Sequence, residues 1–246
     1  MQLLIDVGNS RIKWAYSQNG ALARHGSASH KGVVPEEAIN AWRESSPEYV
    51  VAANVVGRDY AEQLTTWVRQ QWQLQVEFVT LESSRFELAY AEPERFGIDR
   101  WLALVAAREL VKGAVAVIDA GTALTLDIVS AEGKHVGGII LPGLNLMPES
   151  LQQKSSGVRQ GYTEVLTDQT SLLGIDTRSC IEKGALYAVT GAVEHVLKRF
   201  QAQAGEVRSV IICGGDGEQV SAELSIRSKL IPDLVLQGMQ IVKGGS

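Results

Sequence analysis

The chain has 246 residues, 45% of them apolar and 21% charged, with a formal net charge of −5. That length holds one large domain or two small ones, and the composition excludes a disordered or fibrous protein. The acidic balance gives no electrostatic footprint for nucleic acid or for an anionic membrane.

Two cysteines, Cys180 and Cys213, are present. They are too few for a disulfide framework or a cysteine-based zinc site and fit a reducing cytoplasm. Both read as small buried residues. The longest run free of ionisable side chains, Val136 to Pro148, has 13 residues, against the ~20 that span a bilayer. The start, Met1 to Asp6, lacks the basic and apolar regions of a signal peptide. A cytoplasmic chain, mature from Met1, is expected.

Short apolar strands alternate with amphipathic helices. Residues 3–6 read as a strand, 12–16 as a returning strand, and Asn19-Gly20 as a hairpin turn. Residues 49–53 and 76–79 are strands, with a helix over 59–72 between them. A second helix starts near Asp99, carrying Trp101, Leu104 and Val105 on one face. Strands follow at 114–118, 124–129 and 136–141. Ala185, Val189, Val193 and Leu197 mark a long helix, and 210–213 is a strand ending in Gly214-Gly215.

One repeat organises the chain. Ile5-Asp6-Val7-Gly8-Asn9-Ser10 and Ile118-Asp119-Ala120-Gly121-Thr122-Ala123 each end a strand, turn, and lead into a returning strand. They stand 113 residues apart, which predicts two similar halves, 1–110 and 111–246. Gly8 permits a tight turn and close approach of backbone N–H groups to a ligand. Lys13 supplies a point charge suited to phosphate. Asp6 and Asp119 place carboxylates at strand ends, where one can hold Mg²⁺. Alone, either turn is equally a plain hairpin, and neither has Walker A or dinucleotide-fold spacing. Two such turns and the glycine-rich turn after Cys213 together point to a polyphosphate nucleotide.

This triple resembles the ATP-binding fold of actin, hexokinase and Hsp70. With Gly97-Ile98-Asp99-Arg100 and the Gly137-Gly138 to Pro142-Gly143 run, the resemblance narrows to type III pantothenate kinases and covers nearly the whole chain. It implies an α/β fold of duplicated ribonuclease-H-like halves, each a mixed sheet flanked by helices, with an ATP cleft between them. It implies ATP-dependent phosphorylation of pantothenate, the first committed step towards coenzyme A, with Mg²⁺ and a monovalent cation (K⁺ or NH₄⁺), in a homodimer. Phosphate contacts fall on Asp6, Val7, Gly8, Asn9, Ser10, Arg11, Ile12 and Lys13 and on Gly121 and Thr122, and adenosine contacts on Gly214 and Gly215. By the same resemblance Asp6 is expected as the Mg²⁺-side carboxylate and Asp119 as the monovalent-cation ligand. The resemblance further implies Asp99 as general base and Tyr90, Gly97, Ile98, Arg100 and Thr177 as the lining of the pantothenate site.

Read without the resemblance, these residues keep other roles. Asp99 also suits the N-cap of a helix over 100–110, and Thr177 an N-cap of the long helix. Arg100 also suits a surface ion pair with Glu94 or Glu109. Tyr90 also suits core or rim. Asp127 reads as a solvated strand residue, His195 as a surface residue, and Trp14 and Trp101 as packing. The four histidines lack metal-ligand spacing. Cys213 stands where the family often has Thr, and Asp176 where Asn is frequent. Two other readings are another small-molecule kinase on the same ATP clamp and a nucleotide-binding transcription accessory protein.

Overall fold

A computed structural model describes residues 1–82, 87–162 and 171–244. Contacts divide the chain into two units, Met1–Lys112 with Asp233–Ser246, and Gly113–Pro232.

In the first unit, β1 (Gln2–Val7), β2 (Arg11–Gln18) and β3 (Ala21–Ser29) form an antiparallel meander. β4 (Tyr49–Asn54) and β5 (Val76–Phe78) add in parallel on the far side of β1. The order is β3-β2-β1-β4-β5. The turn between β2 and β3 needs two left-handed residues and has them, at Asn19 (φ 50°) and Gly20 (φ 77°). Alternation along the strands sorts the faces. Leu3, Ile5, Val7, Ile12, Trp14 and Tyr16 point to one side, against α1 (Glu36–Arg43) and α2 (Arg58–Trp72), which contribute Trp42, Tyr60, Leu64 and Val68. On the sheet, α3 (Ile98–Leu110) packs against β4 and α8 (Leu234–Gly244) against β1, while the two helices pack on each other. α8 and α3 touch at Gly238, where a Cβ would run into the Leu102 backbone.

The second unit repeats this plan. β6 (Val115–Ala120), β7 (Ala123–Val129) and β8 (His135–Pro142) form the meander; β9 (Ser209–Cys213) and β10 (Lys229–Leu230) add in parallel, giving β10-β9-β6-β7-β8. Ala116, Ile118, Leu124, Leu126 and Ile128 face α6 (Thr177–Ala204), which buries Val189, Val193 and Leu197. α4 (Leu146–Lys154), α5 (Ser156–Gly161) and α7 (Gly217–Glu223) complete the unit. The Asp-x-Gly repeat is therefore a structural repeat, with Asp6 and Asp119 each one residue before the end of equivalent strands. The fold is a pair of ribonuclease-H-like units, as in actin-like ATPases.

The sequence reading is corrected at several points. Residues 233–246, expected in the C-terminal half, group with the first unit. Cys180 is exposed, and of the two cysteines only Cys213 is buried. Asp127 is not solvated: it is 2% exposed and lies 2.9 Å from Nε2 of His135, also buried. No helix among the described residues is long and apolar enough to cross a membrane.

Candidate active site

The first turn is tight. The Gly8 N–H donates to the Arg11 carbonyl at 3.0 Å, leaving Asn9 and Ser10 exposed at the tip. Val7 and Ile12 face the core, so the loop offers a ligand its backbone and polar side chains. Asp6 and Lys13 are cross-strand partners on the opposite face of the sheet. Asp6 is buried. The Arg11 guanidinium donates to Ser27 Oγ on β3 at 2.8 Å.

Tyr90, Gly97, Asp99 and Arg100 come together in the same unit. Arg100 is 8% exposed rather than a surface residue. Its Nη1 donates to the Tyr90 hydroxyl at 3.0 Å. Its guanidinium carbon lies 4.4 Å from the Phe96 ring centroid, and Tyr90 meets Phe96 edge to face at 5.0 Å. The cation–π contact fixes the plane of the fork and the phenol fixes its rotation. Phe96 went unnoticed in the sequence; its only signal is an aromatic directly before Gly97.

Asp99 does not cap the helix. The N-cap of α3 is Gly97, with no side-chain cap bond, and Asp99 lies in the first turn. Its Oδ1 accepts the Arg100 N–H at 2.8 Å. A Cβ on residue 97 would lie 2.6 Å from that oxygen, so only glycine leaves the carboxylate room. Ile98 opens the helix, half-buried.

In the second unit three turns converge. The Gly121 N–H donates to the Ala123 carbonyl at 3.1 Å, and the Gly143 N–H to the Thr122 carbonyl at 2.9 Å. The turn after β9 joins through Asp216, whose N–H donates to the Ala120 carbonyl at 2.9 Å. Gly214 has φ 93°, and a Cβ there would collide with the Ala120 carbonyl and lie 2.5 Å from Asp119 Oδ1. Both the left-handed backbone and the contact demand glycine. A Cβ on Gly215 would meet open space. Asp119, Gly121, Thr122, Gly214 and Gly215 thus share one surface region, with Thr122 exposed.

Thr177 is the first residue of α6, not its cap. Asp176 caps, accepting from the Ser179 N–H at 2.9 Å in a reciprocal capping box. The Ser179 backbone and hydroxyl bonds hold the Asp176 carboxyl below its ordinary value. No cluster of three or more histidine, cysteine or carboxylate side chains suited to a metal exists among the described residues.

A family model for type III pantothenate kinase matches residues 2–199. The type III pantothenate kinase of Nitrosococcus oceani is 39% identical, covering 97% of this chain and 92% of that one. Among solved structures, a conserved Baf family protein from Campylobacter jejuni superposes with a TM-score of 0.60 at 20% identity, covering 99% of this chain and 98% of that one. The activator of 2-hydroxyisocaproyl-CoA dehydratase from Clostridium difficile, solved with ADPNP, gives 0.53 at 13% identity, covering 96% and 90%. At those identities the structural matches speak for the fold. The sequence matches, spanning the turns and the Gly97–Arg100 cluster just described, go further: the chain belongs to the type III pantothenate kinase family.

Proposed function

We propose that this protein transfers the γ-phosphoryl group of ATP to the terminal hydroxyl of pantothenate, opening the route to coenzyme A, with Asp99 as general base. The observation that carries this reading is the Tyr90–Phe96–Asp99–Arg100 cluster: a pre-ordered guanidinium beside a carboxylate held by a backbone N–H.

Phosphoryl transfer runs through a loose transition state in which positioning and charge neutralisation do most of the work. The Asp99 carboxylate is an acceptor suited to a substrate hydroxyl. The positive end of the α3 dipole suits an anion there, and Asp99 orients the attacking oxygen before taking its proton. Arg100 brings a planar guanidinium fork that suits a substrate carboxylate or the moving phosphoryl group. Gly97, Ile98 and Thr177 complete the pantothenate contacts. The Asn9 and Arg11 N–H groups of the first turn, the Lys13 ammonium, Gly121 and the Thr122 hydroxyl hold the phosphates. Gly214 and Gly215 receive the nucleoside.

The donor chemistry fits two cations. Asp6 is a buried carboxylate at a strand end, suited to Mg²⁺ that keeps most of its waters. Asp119, with the Ala120 carbonyl beside Gly214, offers oxygens that K⁺ can coordinate and that NH₄⁺ can donate to. Bound there, the cations neutralise phosphate charge. A homodimer is supported by apolar surface on the second unit. β8 is an edge strand with Val136 and Ile140 exposed, and Leu146, Leu151, Leu172 and Ile175 are exposed as well. An uncovered apolar edge is an association surface.

A coupled ADP-release assay with pantothenate, ATP and Mg²⁺, in K⁺ and then in Na⁺ alone, tests the reading. Pantothenate-dependent release that is faster in K⁺ is expected. No such release in K⁺ overturns the assignment; equal rates in both salts remove the cation from Asp119.

A further inference from the structure

His30 follows the end of β3 and is buried, 9% exposed. Its backbone N–H donates to the Ser10 carbonyl at 3.0 Å. Its ring Nε2 lies 2.7 Å from the Gly8 carbonyl, and the Gly32 N–H reaches Nδ1 at 3.2 Å. A backbone N–H can only donate, so Nδ1 carries the lone pair. In the neutral imidazole Nε2 then bears the hydrogen and donates it to Gly8. The Tyr60 ring packs on the imidazole at 4.9 Å and holds its plane. Burial pushes the Tyr60 phenol up to about 12, so that wall stays neutral.

The Gly8 carbonyl has a second claimant. In a closed two-residue hairpin, Gly8 and Arg11 exchange both of their backbone bonds. Here the Gly8 N–H reaches the Arg11 carbonyl, but the Gly8 carbonyl goes to His30 instead. A trans peptide points its C=O and N–H opposite ways. Turning the Gly8 carbonyl towards His30 therefore aims the Asn9 N–H away from it. Holding the Ser10 carbonyl on the His30 N–H does the same for the Arg11 N–H.

We propose that His30 is a positioning residue for the first phosphate loop: it draws the Gly8 carbonyl out of the turn, so that the Asn9 and Arg11 N–H groups are presented to nucleotide phosphate oxygens. This rests on the reading of residues 6–13 as an ATP loop.

Three variants separate the two ring nitrogens. His30→Gln keeps a donor at the Nε2 position, His30→Asn keeps only an acceptor for Gly32, and His30→Leu keeps neither. The measurements are KM for ATP and for pantothenate, thermal stability, and amide hydrogen exchange across residues 8–13 without nucleotide. One lost hydrogen bond predicts an ATP KM raised about tenfold in His30→Asn and His30→Leu, and within about twofold of wild type in His30→Gln. Pantothenate KM stays level throughout, and loop exchange quickens in His30→Asn but not in His30→Gln. Equal ATP KM in the Gln and Asn variants, or unchanged exchange in His30→Asn, overturns the proposal. Wild-type enzyme without pantothenate-dependent turnover overturns the kinase reading instead, and the exchange data still judge His30.

Discussion

Asp99 and Arg100 are adjacent in the chain but are held by different means. The carboxylate is fixed by a backbone N–H in the first helical turn, and the guanidinium by two aromatic rings. Their substitutions should therefore fail differently. Asp99→Asn keeps the shape and an acceptor for the Arg100 N–H but loses the base. Its kcat should fall at least about 100-fold, with ATP affinity and Tm near wild type. Unchanged turnover would reduce Asp99 to an acceptor at the helix start. Arg100→Lys keeps the charge but loses the planar fork over Phe96. Pantothenate KM should rise about tenfold, the equivalent of one good contact, in steady-state kinetics. Much of this was legible. Asp, Gly and Asp-Arg stand where a turn and a helix start need them. The alternative of Asp99 as a cap fails because Gly97, the real N-cap, has no side chain with which to announce itself.

Among the elements, α6 shows how a start signal works. Asp176 and Ser179 exchange side-chain bonds with each other's backbone. The Asp176 carboxyl is held below its ordinary value, chiefly by the Ser179 backbone bond. The folded state thus prefers the ionised form, and the stabilisation is complete above the ordinary carboxylate range. It is lost as pH falls through the lowered value. The Tm gap between wild type and Asp176→Ala should be present at neutral pH and close as acid protonates the cap in both states. A gap that persists in strong acid would mean that the protonated carboxyl caps the helix as well as the carboxylate does. The β7–β8 hairpin was harder to read. A polar residue in a strand normally signals a solvent-facing side, and by local pattern Asp127 reads that way. Its partner, His135, lies across the hairpin, and a ladder with an irregularity between Ile128 and Val129 brings them together. Local pattern carries no trace of that register. β3 was equally faint, because most of its residues are exposed and few are apolar.

At the scale of the molecule, the internal repeat announces two similar units, but chain order alone puts residues 233–246 in the wrong one. Only packing reveals that α8 covers α3. That packing is testable because all five tryptophans, Trp14, Trp42, Trp67, Trp72 and Trp101, lie in the first unit. Tryptophan fluorescence therefore reports that unit alone, whereas far-ultraviolet circular dichroism reports both. Gly238→Ala forces a methyl group into the Leu102 backbone, an overpacking that costs about 1–3 kcal/mol. In urea titrations the fluorescence midpoint should fall, and by more than the dichroism midpoint if the units melt separately. A fluorescence midpoint that stays put would mean that the first unit does not depend on this crossing.

The same division sets an order of events on the ribosome. The second unit is one uninterrupted segment, Gly113–Pro232, and all of it is synthesised before α8. The first unit begins to emerge earliest and is completed last. At roughly 5–20 residues per second, α3 waits on the order of 10 s for its cover. Through that interval the Leu102 side of α3 is nascent apolar surface, the kind that chaperones hold.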